Sequence, residues 1–164
     1  MNSIKTFGMV SVLALALTMG AGCAKKNTEV EAGNTSVASG NAALDAACQQ
    51  ISDGVVYFDY NKYDIKADYR DVLKQKADLM KQFNSIKVRI EGNCDARGTQ
   101  EYNLALGERR ARAAYEYMVR LGVAADQLEM ISFGKERPAV EGSGEKVWAQ
   151  NRRDEFNAMT QQES

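Results

Sequence analysis

Histidine is missing from all 164 residues of the chain, and cysteine occurs only three times. Histidine is the commonest general base and metal ligand, so its absence excludes Ser-His-Asp and Cys-His catalysis and leaves no basis for a zinc site. Neither sign of charge dominates, because the chain has 22 acidic and 21 basic residues. This balance gives no support for binding nucleic acid or anionic lipid by bulk electrostatics. We therefore expect no nucleic-acid partner, no metal and no cofactor.

The N-terminal region has an apolar run that is too short to cross a bilayer. Lys5 provides a short positive region, and residues 9–19 form the apolar run. The small residues 20–22 then precede Cys23, which resembles the cleavage site of bacterial lipoproteins. We expect residues 1–22 to be a lipoprotein signal peptide and Cys23 to be the lipidation site. The alternative is an ordinary secretory peptide with an incidental cysteine.

The next segment is poor in apolar side chains. Residues 24–47 contain no aromatic residue and are rich in Ala, Ser, Asn, Gly and Thr. Such a composition is typical of a stretch that cannot bury enough apolar surface to become ordered. We therefore expect a lipidated flexible linker over residues 23–50 and a single domain over residues 51–160.

Within that domain, hydrophobic periodicity alternates between strand and helix patterns. The pattern predicts strands at 55–58, 86–91, 128–133 and 154–159, helices at 66–83 and 101–121, and a short helix at 145–150. This order is typical of an α+β fold: a β-α-β-α-β two-layer sandwich in which helices cover one face of a mixed sheet. The other face should be polar, as Lys87, Arg89 and Glu91 alternate with the apolar residues of their strand.

One arginine interrupts an otherwise apolar helix stripe. Helical steps from Leu106 reach small or apolar residues at nearly every position, but Arg110 falls on the same face. A guanidinium at the edge of a core requires an anionic partner, since burying it unpaired is costly. Asp95, at the end of the preceding strand, is the nearest candidate. The pair is either a structural ion pair or an acid and a base that grip a zwitterionic ligand.

Several segments in the same order resemble a known family. They are YFDYNKYDI (57–65), GNCDARGT (92–99), EYN (101–103), LGERRA (106–111), SFGKERP (132–138) and NRR (151–153). On these segments the chain resembles the OmpA-like peptidoglycan-binding domains. The resemblance implies a ligand, the meso-diaminopimelate of the peptidoglycan peptide stem, whose free end carries an ammonium and a carboxylate. It also implies that Asp95 takes the ammonium and that Arg110 grips the carboxylate, preferably as a bidentate pair.

The resemblance assigns weaker roles to other residues. Tyr60 and Asn61 stand where the family usually has Phe-Asp in the turn that lines the groove. Leu106 either contacts the methylenes of the stem or belongs to the core. Thr99 is a further ligand candidate, although shaping the loop is the alternative. The arginine pair at 152–153 is interpreted as structural ion-pair residues.

Two cysteines remain if Cys23 is acylated. An even remainder in an exported protein suggests a disulfide between Cys48 and Cys94. Two independent thiols, with Cys94 as a small packing residue, are the alternative.

The resemblance finally implies a function. We expect a lipid-anchored protein of the outer membrane whose domain faces the periplasm, binds peptidoglycan non-covalently and tethers the membrane to the cell wall during division. A periplasmic β-propeller protein of the Tol type is the implied protein partner. The alternative function is a protein-interaction module of that system with little direct wall binding. Catalysis is not expected, because a carboxylate pair such as Glu91 and Asp95 is only four residues apart, across a strand end and a loop, and no second acidic constellation supports it.

Overall fold

The computed structural model describes residues 35–160. The predicted signal peptide (1–22), the predicted lipidation residue Cys23 and the first part of the predicted linker lie outside the described residues. Among the described residues, none of the helices has the length and apolar character needed to cross a membrane.

Four strands form one mixed sheet, as the sequence predicts. They are β1 (Val56–Tyr57), β2 (Ile86–Asn93), β3 (Leu128–Gly134) and β4 (Arg153–Thr160), in the spatial order β1-β4-β2-β3. Strand β2 runs parallel to β3 and antiparallel to β4, whereas β1 pairs with β4 only. The predicted α+β fold class is confirmed, although β1 is shorter than the predicted strand at 55–58.

Four α-helices accompany the sheet. They are α1 (Thr35–Ser52), α2 (Arg70–Gln82, preceded by a 3-10 turn at Ala67–Tyr69), α3 (Gln100–Arg120) and α4 (Glu145–Asn151). The last three agree with the predicted helices to within a few residues. Helix α3 ends before Gly122, whose φ of 94° is the left-handed conformation that favours glycine after a helix.

Helix α1 corrects the predicted linker, because it occupies residues 35–52, most of the segment predicted to be flexible. Its apolar side chains recur at helical spacing and pack against the core: Leu44, Ala47, Cys48 and Ile51. The flexible linker was predicted from the average composition of the segment, which does not show a narrow apolar stripe. The buried ammonium of Lys76 donates hydrogen bonds to the carbonyls of Ile51 and Asp53 at the C-terminal end of α1, where a cation is favourable.

The core lies between the helices and one face of the sheet. It contains Ile86, Val88 and Ile90 of β2 together with side chains of α2 and α3, among them Leu73, Ala77, Met80, Ala111, Ala114 and Met118. The opposite face is polar, as predicted. Lys87 and Arg89 are half-buried there, and Glu91 is buried because Arg89 and Arg137 pair with its carboxylate at 2.9 and 3.6 Å.

Candidate functional site

The loop between β2 and α3 is shaped by its own hydrogen bonds. Thr99 is the N-cap of α3, and its hydroxyl accepts a hydrogen bond from the Tyr102 N–H. The Asn103 amide donates to the carbonyls of Arg97 and Thr99 at 2.7 and 3.0 Å. Gly98 has a φ of 86° and allows the chain to turn into the helix. Thr99 therefore shapes the loop, which was the alternative to its predicted ligand role.

Two glycines bring β2 and α3 into backbone contact. A Cβ atom added to Gly92 would lie 2.0 Å from the carbonyl oxygen of Gly107, and one added to Gly107 would lie 2.3 Å from the Ser132 hydroxyl. A side chain at either position would therefore push the helix away from the sheet. Asp95 follows Gly92 by three residues and Arg110 follows Gly107 by three, so this contact fixes how near the two functional side chains lie.

A small cavity opens at this junction. Its walls come from the first turn, the loop and the start of α3, and the lining residues are Tyr60, Asn61, Cys94, Asp95, Arg97, Gly98, Tyr102, Asn103, Leu106 and Arg110. Five of the six predicted ligand residues are thereby brought together: Tyr60, Asn61, Asp95, Leu106 and Arg110. Thr99 is not among the lining residues.

Arg110 is fully buried, but its partners differ from the prediction. Its guanidinium donates to the backbone carbonyls of Lys62 at 2.9 Å, Asn93 at 2.7 Å and Asp59 at 3.3 Å, and to the Cys94 sulfur at 3.4 Å. The expected pairing with Asp95 is therefore wrong, because backbone carbonyls of the first turn and of β2 satisfy the guanidinium. Burial lowers the pKa of Arg110. Four of its five N–H groups are engaged, which leaves one Nη2–H for a ligand.

Asp95 is held by two other arginines. Arg97 donates through Nε to Oδ1 at 3.0 Å and through Nη2 to Oδ2 at 2.6 Å, which is a bidentate pair. Arg152, the residue between α4 and β4, approaches Oδ2 at 3.4 Å. Burial acts to raise the pKa of Asp95, but the hydrogen bonds from Arg97 and Arg152 outweigh it and hold the pKa below its ordinary value. Asp95 is therefore ionised at neutral pH.

Arg97 contacts two aromatic rings. Its guanidinium carbon lies 4.1 Å from the centroid of the Tyr60 ring and 4.1 Å from that of Trp148 in α4. Glu145 approaches Nη2 at 4.0 Å. Sequence reasoning did not assign a ligand role to Arg97. Because Arg97 lies two residues after Asp95, the sequence contained a signal for the ion pair between them. The contact of Arg97 with Trp148 of α4 could not be predicted, because the two residues are far apart in sequence.

Three other residues that line the cavity, Tyr60, Asn61 and Leu106, were also predicted ligand residues. Asn61 adopts a φ of 56°, which asparagine tolerates well in turns, and its side-chain oxygen accepts a hydrogen bond from the Tyr102 hydroxyl. Tyr60 is 60% exposed, so its ring is available to solvent. Leu106 is buried yet borders the cavity, so it takes part in both environments that the sequence left open.

Asp154 is a buried acid that sequence reasoning missed. Its side chain is completely buried, and neither carboxyl oxygen has a hydrogen-bond partner among the described residues. Burial raises the pKa of Asp154 well above its ordinary value, although the charge of Arg110 opposes this effect. The sequence did contain a signal for it: Asp154 and Glu155 are adjacent in a predicted strand. Because adjacent strand residues point to opposite faces of the sheet, one of the two acids had to face the core.

The predicted disulfide does not form in the structure, where Cys48 and Cys94 are not joined. Cys94 lines the cavity, and its thiol donates to the Asn103 carbonyl at 3.3 Å. Burial raises the pKa of Cys94 to about 11. Cys94 is thus the small packing residue that was the alternative to a bridge, and Cys48 packs half-buried on α1.

The cavity therefore combines an ionised acid with two cationic groups. Asp95 offers a carboxylate, Arg97 offers a partly exposed guanidinium, and Arg110 offers one N–H and its charge from a buried position. Such a set can bind a small group that carries both charges. In the described part of the chain, no cluster of three or more acidic or cysteine side chains could hold a metal ion.

Comparison with known proteins agrees with this fold. The sequence pattern of the OmpA family matches residues 57–152. The peptidoglycan-associated lipoproteins of Pseudomonas putida and Pseudomonas aeruginosa are 41% and 38% identical to the chain, and each alignment covers 92% of this chain and 96% of the relative.

Solved structures give the same result. The crystal structure of the peptidoglycan-associated lipoprotein from Burkholderia pseudomallei has a TM-score of 0.67 and 39% identity, covering 71% of this chain and 99% of that one. The C-terminal domain of Helicobacter pylori MotB shares the fold with a TM-score of 0.61 at 18% identity, covering 65% of this chain and 84% of that one. The chain therefore belongs to the OmpA family and, within it, groups with the peptidoglycan-associated lipoproteins.

Proposed function

We propose that the protein binds peptidoglycan non-covalently through the zwitterionic end of meso-diaminopimelate in the peptide stem. One observation carries the proposal: Asp95 and Arg110 line the same small cavity, with an anionic side and a cationic side. The names of the relatives, which describe a lipoprotein associated with peptidoglycan, support the same ligand. The role is binding rather than catalysis.

The two residues take complementary parts of the ligand. Asp95 accepts hydrogen bonds from the ammonium, since its carboxylate is ionised and borders the cavity. Arg110 attracts the carboxylate through its charge and its remaining Nη2–H. The fork-like bidentate grip expected from the sequence is replaced by a single donor, because the other N–H groups are bound to backbone carbonyls and a thiol.

Membrane attachment completes the role. We propose that Cys23 is acylated and that the lipid anchors the protein in the outer membrane with its domain in the periplasm. An anchored wall-binding domain tethers the outer membrane to the cell wall and supports envelope integrity during division. We also propose a Tol-type periplasmic β-propeller protein as a partner that competes with the wall for the cavity face.

Co-sedimentation with purified sacculi of the diaminopimelate type tests the proposal. Full-length protein in mild detergent should sediment with sacculi, and Asp95→Asn should weaken binding by about ten- to a hundredfold, because one charge-assisted contact is lost. Arg110→Lys should weaken it too, and should also lower the melting temperature, since the lysine cannot reach three carbonyls.

The matched control is Arg112→Lys. Arg112 lies on the same helix but pairs with Glu108 at 2.7 Å on the exposed surface, so its replacement should leave sedimentation unchanged. A folded Asp95→Asn protein that sediments as the wild type does would contradict the proposed site. Release of soluble muropeptides during incubation would instead reveal catalysis.

A further inference from the structure

The Asp95 carboxylate is already occupied in the described structure. Oδ1 accepts hydrogen bonds from the backbone N–H and from Nε of Arg97, at 3.1 and 3.0 Å, and Oδ2 accepts from Arg97 and Arg152. Asp95 itself is only 5% exposed. An incoming ammonium can therefore reach this carboxylate only if one of the arginines gives up its place.

Arg97 is the partner that can do so. Its side chain is 30% exposed and lines the cavity, whereas that of Arg152 is 7% exposed. Arg152 is also fixed by other bonds, to the Phe58 carbonyl at 3.0 Å and to Glu145 at 2.6 Å. Although its contact with Asp95 at 3.4 Å is the longer one, these other bonds hold Arg152 in place. A ligand that enters from the cavity thus displaces the more exposed Arg97.

The two aromatic rings that contact Arg97 can keep the displaced guanidinium in contact with the protein. The rings of Tyr60 and Trp148 both contact the Arg97 guanidinium, and a cation stays attracted to an aromatic face at distances up to about 6 Å. The edge that carries Nε and Nη2 bonds to Asp95 in the structure and is freed when Arg97 shifts. This edge is a rigid fork whose geometry matches a carboxylate.

We propose that Arg97 is a ligand-binding residue and that the zwitterionic head inserts into the Asp95–Arg97 ion pair. The ammonium replaces Arg97 on Asp95, and the ligand carboxylate takes the freed fork of Arg97. No charge is left without a partner. The ion pair of Asp95 with Arg97 is replaced by two pairs, Asp95 with the ammonium and Arg97 with the ligand carboxylate. This inference rests on the proposed function and adds to it a second residue, beside Arg110, that binds the ligand carboxylate.

The exchange makes the cavity selective for a zwitterion. A lysine side chain has the ammonium but no carboxylate, so it would separate Arg97 from Asp95 without giving Arg97 a new partner. Amidation of the diaminopimelate carboxylate has the same consequence. We expect both to bind about ten- to a hundredfold more weakly than the zwitterion, the range expected for one charge-assisted contact.

Isothermal titration of the full-length protein with three synthetic stem peptides tests the inference. The peptides carry meso-diaminopimelate, its amidated form, or lysine at the same position. Arg97→Gln should weaken binding of the diaminopimelate peptide by about ten- to a hundredfold. The same variant should bind the lysine peptide as well as the wild type does, or better, because Arg97 no longer occupies Asp95. The discrimination among the peptides should therefore shrink to the part that Arg110 contributes.

Two further variants keep the result interpretable. Arg97→Lys retains the charge without the fork, so it should lose part of the discrimination even if Arg97→Gln folds poorly. Arg112→Gln removes an exposed arginine of α3 that pairs with Glu108 and should leave all three affinities unchanged. Melting temperatures of all variants establish that the folded state is compared.

The outcomes separate this inference from the proposed function. Equal weakening of all three peptides by Arg97→Gln, or unchanged discrimination in that variant, would overturn the role of Arg97. If the wild type still bound the diaminopimelate peptide through Asp95 in that case, the proposed function would stand alone. A wild type that bound none of the peptides would overturn both.

Discussion

Adding one methyl group at Gly92 should separate the two elements that build the site. The new Cβ would lie 2.0 Å from the Gly107 carbonyl oxygen, which belongs to the backbone. Ordinary contact requires roughly 3.4 Å, so β2 and α3 would have to move apart by about 1.4 Å. Overpacking of this kind costs about 1–3 kcal/mol, and we expect the upper end because no flexible side chain can yield.

Urea denaturation of full-length Gly92→Ala measures this effect as a lower midpoint at an unchanged slope. Sacculus binding should fall as well, since the change moves Asp95 relative to Arg110. The matched control is Gly40→Ala on α1, where an added Cβ meets nothing within 4 Å and helix propensity should add up to about 1 kcal/mol. A Gly92→Ala protein within about 0.5 kcal/mol of the wild type would refute the close-contact reasoning.

Three further predictions concern other parts of the chain. Burial lowers the pKa of Lys76 from 10.5 to about 8, so the folded state disfavours its charge. The free energy of unfolding should therefore rise with pH between those two values, by at most about 1.4 kcal/mol per pH unit. Urea titrations at several pH values should show that Lys76→Met removes this rise. Because Cys48 and Cys94 are not bridged, a reducing agent should leave the melting temperature unchanged; a drop would indicate a disulfide. Cys23→Ser should abolish metabolic labelling with palmitate, and persistent labelling would place the lipid elsewhere.

The elements from β2 onward could be predicted because each has a strong local pattern. Helix α3 was predicted at 101–121 and lies at Gln100–Arg120, since Thr99 caps its start and Gly122 allows the chain to leave it. Helix α1 could not be predicted in the same way. Its apolar stripe is narrow, and its stability depends on packing against the core and on Lys76, which lies 25 residues from Ile51 in sequence.

The sequence predicted which residues form the site, but not which partners their side chains bond. The motif placed Asp95 and Arg110 at one junction, which the structure confirms, yet each residue has other partners. Arg110 is satisfied by carbonyls of a turn 48 and 51 residues away, and Asp95 by Arg152, 57 residues away. Such contacts depend on how separate elements pack, and a single sequence gives no distance between them.

We propose that the ligand enters the cavity between the first turn and the β2–α3 loop. Titration of isotope-labelled full-length protein with the diaminopimelate stem peptide, followed by amide chemical shifts in NMR spectra, locates the bound peptide. We expect the largest shifts in residues 59–63 and 94–106 and in the indole of Trp148. Shifts centred on the opposite face of the sheet, around Arg89 and Arg137, or no shifts at saturating peptide, would contradict it.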